Sequence, residues 1–443
     1  VCDMKARRHH LILRLVDDHV VTSQEQLQGL LEQEGVAVNQ ATLSRDLRAL
    51  GVVKGPVRGG GTGYRPATRL PERGVARANL RAFMREIVAS GNLLVVRTRV
   101  GGAQPVGLAL DQLRPDGVIG TIAGDDTAIL LVNGNGLSER GLSAANRIVA
   151  KTGCRLMVEV FAARIARGAG RGVFGPLPGD QQRGVETLST AKNVVLAGCR
   201  APVAYLAYEG LPSLLIPENV VAHHLAGPAG DAEGALDALA QALDATLPGA
   251  TYEVDIPERP TGPLTVKTFG MAVGALLPEG AIVAAEVTTS GGPVFGYTRG
   301  APPHDWLGQT GGSIGMATPL AVGAAVASPD RKVLCLQSDG GGMYTNQALW
   351  TLAREGLNVV TVILSNRRYK ILEHEYFKTG ANALGAKADK LFDIGNPDIQ
   401  WSELARGMGM EGHRCEDAED FTIKLEAALA AEGPQLIDAV MSE

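Results

Sequence analysis

A run of apolar residues that empties into an acidic, glycine-rich turn constrains this chain more than any other feature. Lys332-Val333-Leu334-Cys335-Leu336-Gln337-Ser338 reads as a buried strand, and Asp339-Gly340-Gly341-Gly342-Met343-Tyr344 follows it, with a helix expected from about Thr345. Glycines let backbone N–H groups approach a diphosphate, and a helix N-terminus favours its negative charge. A second strand, Val359–Ser365, ends at Asn366, 27 positions beyond Asp339. Parallel neighbouring strands would bring the two ends together. One carboxylate, one amide oxygen, a backbone carbonyl and two phosphate oxygens make a reasonable Mg²⁺ shell. A lone Ser-Asp-Gly is weak evidence; an acid and an amide both placed at strand ends are considerably stronger.

The surroundings repeat the same alternation. Strands are expected at Ile129–Val132, Arg155–Glu159, Asn193–Gly198 and Leu214–Pro217, with a helix near 138–152, which predicts a parallel sheet. Residues 246–265, with Pro248, Pro257, Pro260 and Pro263, read as an exposed linker, and a third α/β unit fills the rest. At 443 residues the chain is too long for one ordinary core. Its 56 glycines and 4% aromatic content favour tight strand-to-helix turns over a β-sandwich. No window is apolar enough for a membrane span, and the first residues lack the apolar core of a secretory signal. Five cysteines without CxxC spacing suit reduced thiols, so a cytoplasmic protein is expected.

Charge separates the chain into a basic head and an acidic body. The first 77 residues hold 12 Lys/Arg against 8 Asp/Glu, whereas the whole chain is −5. A helix over 5–18 buries Leu11, Ile12, Leu15 and Val16. A second starts at Thr22-Ser23, where Ser23 and Gln26 have capping-box spacing, and stops at Gly35. Asn39 can cap a third, Gln40–Leu50, stopped by Gly51. Leu43, Leu47 and Leu50 form its inner stripe and leave Gln40, Thr42, Ser44, Arg45 and Arg48 for contact outside. Val52-Val53-Lys54 and Tyr64 flank a glycine turn, which predicts a short hairpin. Three helices and a hairpin make a winged helix-turn-helix, whose polar third helix can enter a major groove. Arg45, Arg48, Lys54 and Arg58 would meet phosphate. His9-His10 reads as solvated surface.

Gln40-Ala41-Thr42-Leu43-Ser44-Arg45-Asp46-Leu47, followed by Gly51-Val52-Val53-Lys54, resembles the recognition helix and wing of bacterial arginine repressors. Gly91–Thr98, Gly102-Ala103-Gln104 and Gly120-Thr121-Ile122-Ala123-Gly124-Asp125-Asp126-Thr127 agree with that family's effector domain. The resemblance implies operator DNA as a partner, a homo-oligomer, and L-arginine bound at Ala103, Asp111, Thr121, Asp125 and Asp126. Adjacent carboxylates can receive a guanidinium through paired charge-assisted hydrogen bonds. The match runs over about 4–132, with Met4 where a repressor would begin, and the closing helix usual in the family is not found.

The diphosphate signature resembles that of thiamine-diphosphate (ThDP) enzymes of the acetolactate synthase and benzoylformate decarboxylase branch. Glu286-Val287-Thr288-Thr289-Ser290-Gly291, His304-Asp305-Trp306-Leu307, Gly311–Pro319 and Tyr344–Trp350 carry the likeness, which spans about 128–443. It implies that Asp339 and Asn366 hold Mg²⁺ with the Arg368 carbonyl. Gly340, Gly341, Thr288 and Thr289 would approach the diphosphate. Ile314 would bend the cofactor, with Met316 beside it. Ser338 departs from the usual glycine. Without the motif, Ile314 and Met316 would read as core, and His304 is given no chemistry. The family's first domain, with the glutamate that activates the cofactor, is not recognisable in this sequence, so no catalytic residue is identified.

The expected fold is multidomain. It runs as a winged helix-turn-helix over 4–70, a small truncated α/β effector domain over 75–132, a Rossmann-like parallel-sheet domain over 133–245, the linker, and a ThDP-binding α/β domain over 266–443. The expected function is a ThDP- and Mg²⁺-binding half acting on a small 2-oxo acid, catalytically incomplete alone, joined to an arginine-responsive DNA-binding half. The alternatives are an arginine-dependent regulator with a non-catalytic C-terminal half, or an inert junction of two gene fragments. FAD binding is left open.

Overall fold

The structure, a computed structural model, describes residues 8–9, 11–16, 19–50, 52–56, 62–66, 80–90, 93–98, 106–107, 109–110, 113 and 128–442. These residues group into two compact units, one built on residues up to 84 together with 98–123, the other on 85–97 and everything from 124 onward.

In the first unit, residues 11–16 are helical and bury Leu11, Ile12, Leu15 and Val16 against Leu27, Leu31, Leu43 and Leu47. The helix Gln24–Gln33 starts where expected, with Ser23 Oγ accepting from Gln26 N–H and Gln26 Oε1 accepting from Thr22 N–H. Gly35 closes it at φ 76, a conformation that glycine adopts without strain. Asn39 Oδ1 accepts from Thr42 N–H and so caps the helix Gln40–Ala49. Strands β1 (Val52–Pro56) and β2 (Thr62–Pro66) pair antiparallel, Lys54 opposite Tyr64. His9 is a correction: its Nε2 lies 2.8 Å from the buried carboxylate of Asp46, which also takes Arg8, so it ties the first helix to the third. Strands β3 (Met84–Ser90) and β4 (Leu93–Thr98) form a separate two-stranded sheet, which falls almost wholly in the second unit.

The second unit holds two parallel sheets. The first has the order β10-β9-β5-β6-β8, with β5 Ala128–Val132, β6 Arg155–Val158, β8 Gly175–Pro176, β9 Asn193–Ala197 and β10 Val221–Ala226. The strand expected to close the effector segment, β5, is thus the centre of this sheet and pairs with β9 and β6. Five consecutive residues that are apolar on both faces suit burial on both sides better than a sheet edge. The helix Glu139–Thr152, capped by Ser138, packs over it. The strand expected at Leu214–Pro217 does not form: prolines 212 and 217 bracket it, and Leu214 makes only an isolated bridge to Val203. Its place is taken by β10, where His223 and His224 interrupt the apolar pattern; His223 is buried on Asn193 Oδ1.

The second sheet has the order β15-β16-β14-β13-β11-β12-β7. Its strands are β7 Ile165–Arg167, β11 Ile282–Glu286, β12 His304–Leu307, β13 Val333–Ser338, β14 Val359–Ser365, β15 Glu411–Cys415 and β16 Gln435–Val440. All pair parallel except β7, which runs antiparallel to β12. That edge strand comes from the stretch between β6 and β8, so the middle segment lends a strand to the C-terminal sheet and is not closed on itself. Residues 246–265 are mostly exposed but pinned, by a Gly172–Thr251 bridge near one end and by buried Leu264 near the other. Cys154, Cys199, Cys335 and Cys415 are buried free thiols.

Candidate diphosphate and metal site

Strands β11, β13 and β14 are parallel neighbours, with Glu286 opposite Gln337 and Ser338 opposite Leu364. Their C-terminal ends therefore open on one edge of the sheet. Asp339 and Asn366 leave adjacent strands there, as their spacing requires.

Asp339 is buried. Its Oδ1 accepts from Gly340 N–H at 2.8 Å and its Oδ2 from Arg367 N–H at 2.7 Å. The second bond joins the glycine turn to the residue after Asn366. Burial pushes the Asp339 carboxyl up to about 6, against the pull of those N–H donors. A divalent cation would supply the missing counter-charge. Asn366 Oδ1 accepts from Arg368 N–H at 2.9 Å, and Arg367 takes φ 58, uncommon for a residue with a side chain. The Arg368 carbonyl already accepts from Lys370 N–H, leaving one lone pair, while its guanidinium binds Glu373 and Asp389. Among the described residues no three His, Cys, Asp or Glu side chains converge, so a metal here would lean on phosphate oxygens.

The turn is a cradle only glycine can make. The residues Asp339–Gly342 coil into one short helical turn, and the next helix begins at Gln347 rather than at Thr345. A Cβ on Gly340 would meet the Tyr369 ring at 2.5 Å, and one on Gly342 would meet Trp401 at 2.9 Å. On Gly341 it would strike the Glu286 carboxylate and Ser338 Oγ. The residues thus fit a diphosphate and Mg²⁺ in donor chemistry, with a glycine turn packed directly on Tyr369, Trp401 and Glu286.

The other expected contacts collect around this edge. Thr288 and Thr289 follow β11, exposed and half-buried. Thr345 Oγ1 donates to Gly315 O, and Tyr344 packs on Gly315, so Ile314 and Met316 sit beside the turn; Ile314 is 44% exposed, not core. Sequence reasoning missed Glu286 and Gln337, both buried beneath Gly341. Their signal was faint, since each is a polar residue at or next to the end of an apolar strand. His304 is buried, with Nδ1 2.8 Å from Pro302 O, and burial pushes it down to about 4.

Of the expected DNA contacts, Gln40, Arg45 and Lys54 are exposed, Thr42 and Ser44 half-buried, and the Lys54 ammonium lies 5.5 Å from the Tyr64 ring centre. Arg48 is helical, but its side chain lies outside the description, and Arg58 lies outside the described residues, as do Ala103, Asp111, Thr121, Asp125 and Asp126.

Comparison with known proteins divides the chain in the same way. The family profile "Arginine repressor, DNA binding domain" matches residues 4–67, and "Arginine repressor, C-terminal domain" matches 80–139. "Thiamine pyrophosphate enzyme, C-terminal TPP binding domain" matches 287–439. An arginine repressor of Chlorobaculum tepidum is 38% identical over 29% of this chain and 85% of its own length. The "Putative acetolactate synthase large subunit IlvX" of Mycobacterium tuberculosis is 44% identical over 73% of this chain, which spans 63% of that protein's length. A ThDP-dependent 4-hydroxybenzoylformate decarboxylase from Rhodococcus jostii shares the fold, with TM-score 0.60 and 23% identity over 71% of this chain and 61% of its own. The benzoylformate decarboxylase of Polynucleobacter necessarius does so at TM-score 0.55 and 16% identity, over 71% and 62%. The chain is therefore a member of the arginine repressor family in its N-terminal part, joined to a thiamine-diphosphate-enzyme domain in its C-terminal part.

Proposed function

We propose that the C-terminal part binds ThDP and Mg²⁺ in the manner of acetolactate synthase-like enzymes. The observation that carries this reading is the Arg367 N–H bond to Asp339, which joins the two strand ends. In this reading Asp339, Asn366 and the Arg368 carbonyl hold Mg²⁺, and Gly340 and Gly341 receive the diphosphate with Thr288 and Thr289. Ile314 and Met316 support the ring system. When bound, ThDP supplies a thiazolium that accepts the electron pair released from a 2-oxo acid. The protein's residues hold that group and set its orientation. The chain acts with a further domain supplying the activating glutamate, from a separate polypeptide. An uncharged stretch, Trp306–Pro329, and the exposed side chains of Ile314, Met343 and Tyr344 leave an apolar rim suited to such a partner. Calorimetry with ThDP, with and without Mg²⁺, tests the site: no Mg²⁺-dependent binding would remove the reading. Turnover of pyruvate or benzoylformate by the isolated chain would remove the need for a partner.

A second reading belongs to the N-terminal part and is compatible with the first. It is a winged helix-turn-helix that binds operator DNA and responds to L-arginine, in a cytoplasmic homo-oligomer. Capped helices and a hairpin with exposed Gln40, Arg45 and Lys54 support it. Domain limits follow as 4–70 for DNA binding, an effector segment from 75, and a middle domain that takes in β5. Among the described residues no helix is long and apolar enough to cross a membrane. Gel shifts against operator and random duplex test this reading; equal affinity for both would end it.

A further inference from the structure

Beneath the glycine turn lie four buried polar atoms without partners: both carboxylate oxygens of Glu286, and the amide oxygen and nitrogen of Gln337. The residues are register partners on the parallel strands β11 and β13. Glu286 is 1% exposed and Gln337 fully buried. Their ends meet under Gly341, where a Cβ would land on Glu286 Oε1 and 2.8 Å from Gln337 Nε2. Orphaned polar atoms this deep are rare, because each costs its full desolvation.

Hydrogen-bond inventory decides what the pair can be. An ionised carboxylate only accepts. It could take one N–H from Gln337, and the Gln337 oxygen would then face a negative charge with nothing to accept from. A carboxylic acid both donates and accepts. Its O–H can reach Gln337 Oε1 while Gln337 Nε2–H reaches its carbonyl oxygen, and all four atoms are then served. The charges nearby favour the same choice. Among the described residues no Lys, Arg or His pairs with Glu286, and the remaining donors facing it are backbone N–H groups of Gly315, Met316 and Ala317, at the start of the helix Ala317–Ala327. The ionisable neighbour that interacts with Glu286 is Cys335, a thiol on β13 held at about 12. Burial outweighs those N–H donors and lifts the Glu286 carboxyl above the usual range.

We propose that Glu286 is a neutral carboxylic acid paired reciprocally with Gln337, a positioning residue that floors the diphosphate cradle with a proton instead of a charge. A carboxylate under Gly341 would repel the diphosphate above it; the acid–amide pair holds the same shape without that repulsion. Its role toward the cofactor rests on the ThDP reading above, whereas its protonation does not.

The test uses the full-length chain. Infrared difference spectra of the parent against Glu286→Gln should show a protonated-carboxyl band at neutral pH that the variant lacks. In Gln337→Leu, where the acid loses its amide, that band should shift. Affinity for ThDP with Mg²⁺, measured by calorimetry, should fall in the parent by up to about tenfold per pH unit once Glu286 ionises. Glu286→Gln should keep the parent's low-pH affinity within about threefold, because its amide preserves the pair, and should lose that pH-dependent fall. The proposal is overturned if the parent lacks the acid band, if Gln337→Leu leaves it unmoved, or if parent and Glu286→Gln share one pH profile. An acid band without ThDP binding at any pH would retain the protonated pair and remove the cofactor reading instead.

Discussion

Among the described residues, Asp339 is the carboxylate that the proposed metal site would use, so the two expected ligands should differ on removal. Asp339→Ala takes away the anionic ligand of a hard cation and should weaken Mg²⁺-dependent ThDP binding by at least about tenfold. Asn366→Ala removes a neutral oxygen that a water can replace at a cost of about 0–2 kcal/mol, so its loss should be smaller. Calorimetric titration of both variants checks the order; equal losses would mean that Asp339 carries no special role. His304 sets a different expectation, in stability. Its imidazole titrates at 6.5 when unperturbed and at about 4 when buried in the fold, so the unfolded chain binds the extra proton in between. Stability is then present above about pH 6.5 and lost as pH falls toward 4, by up to about 3 kcal/mol. His304→Gln keeps a donor for Pro302 O and cannot charge, so denaturant midpoints should fall less steeply on acidification than in the parent. At this scale the sequence was readable where a residue type carries chemistry by itself, as Asp339 and Asn366 do. It was silent where the meaning lies in a contact, as with Glu286 and Gln337 or His9 and Asp46.

The strand β7 shows what an element can hide. Ile165-Ala166-Arg167 is three residues long, and its partner β12 lies more than 130 positions away, so no local pattern announces the pairing. Arg167 is fully buried there: Nη2 donates to Phe295 O, the guanidinium stacks 3.6 Å from the Phe295 ring centre, and Nε and Nη1 have no partner. Burial pulls it down to about 9, and no carboxylate pairs with it among the described residues. A buried charge without a counter-ion contributes packing more than electrostatics. Arg167→Met, close in length and uncharged, should therefore change stability by no more than about 1 kcal/mol in either direction. Arg167→Ala should cost about 2–4 kcal/mol through the cavity left between Phe295 and Trp306. Thermal or urea unfolding separates the two; a Met variant as damaged as the Ala variant would show that the charge matters. Helix ends and long apolar strands were legible because caps and burial leave local marks, as at Ser23, Asn39 and β14. By contrast, β10 was obscured by two histidines, one of them buried on a neighbour's asparagine.

On the scale of the whole molecule, the chain contains two compact units with separate cores, one gathered around Leu27, Leu31 and Leu43, the other around the two parallel sheets. Each would bind different ligands, and a ligand stabilises only the unit that folds around its site. ThDP with Mg²⁺ at a hundredfold excess over its Kd should stabilise the C-terminal unit by about 2.7 kcal/mol. Scanning calorimetry should show this as an upward shift of one transition, with the transition of the N-terminal unit unmoved. Operator duplex should do the reverse, and its effect should weaken as salt rises, because phosphate contacts release counter-ions. Asp339→Ala should cut the ThDP shift by at least about half and leave the duplex shift intact, whereas Arg45→Ala should weaken the duplex shift and leave the ThDP shift intact. The crossed pattern is the informative one. If ThDP moved both transitions together, or if Asp339→Ala weakened the duplex shift, the two units would be energetically coupled, and occupancy of the diphosphate cradle would bear on DNA binding. Independent shifts would mean that one chain carries two activities joined by connectivity alone.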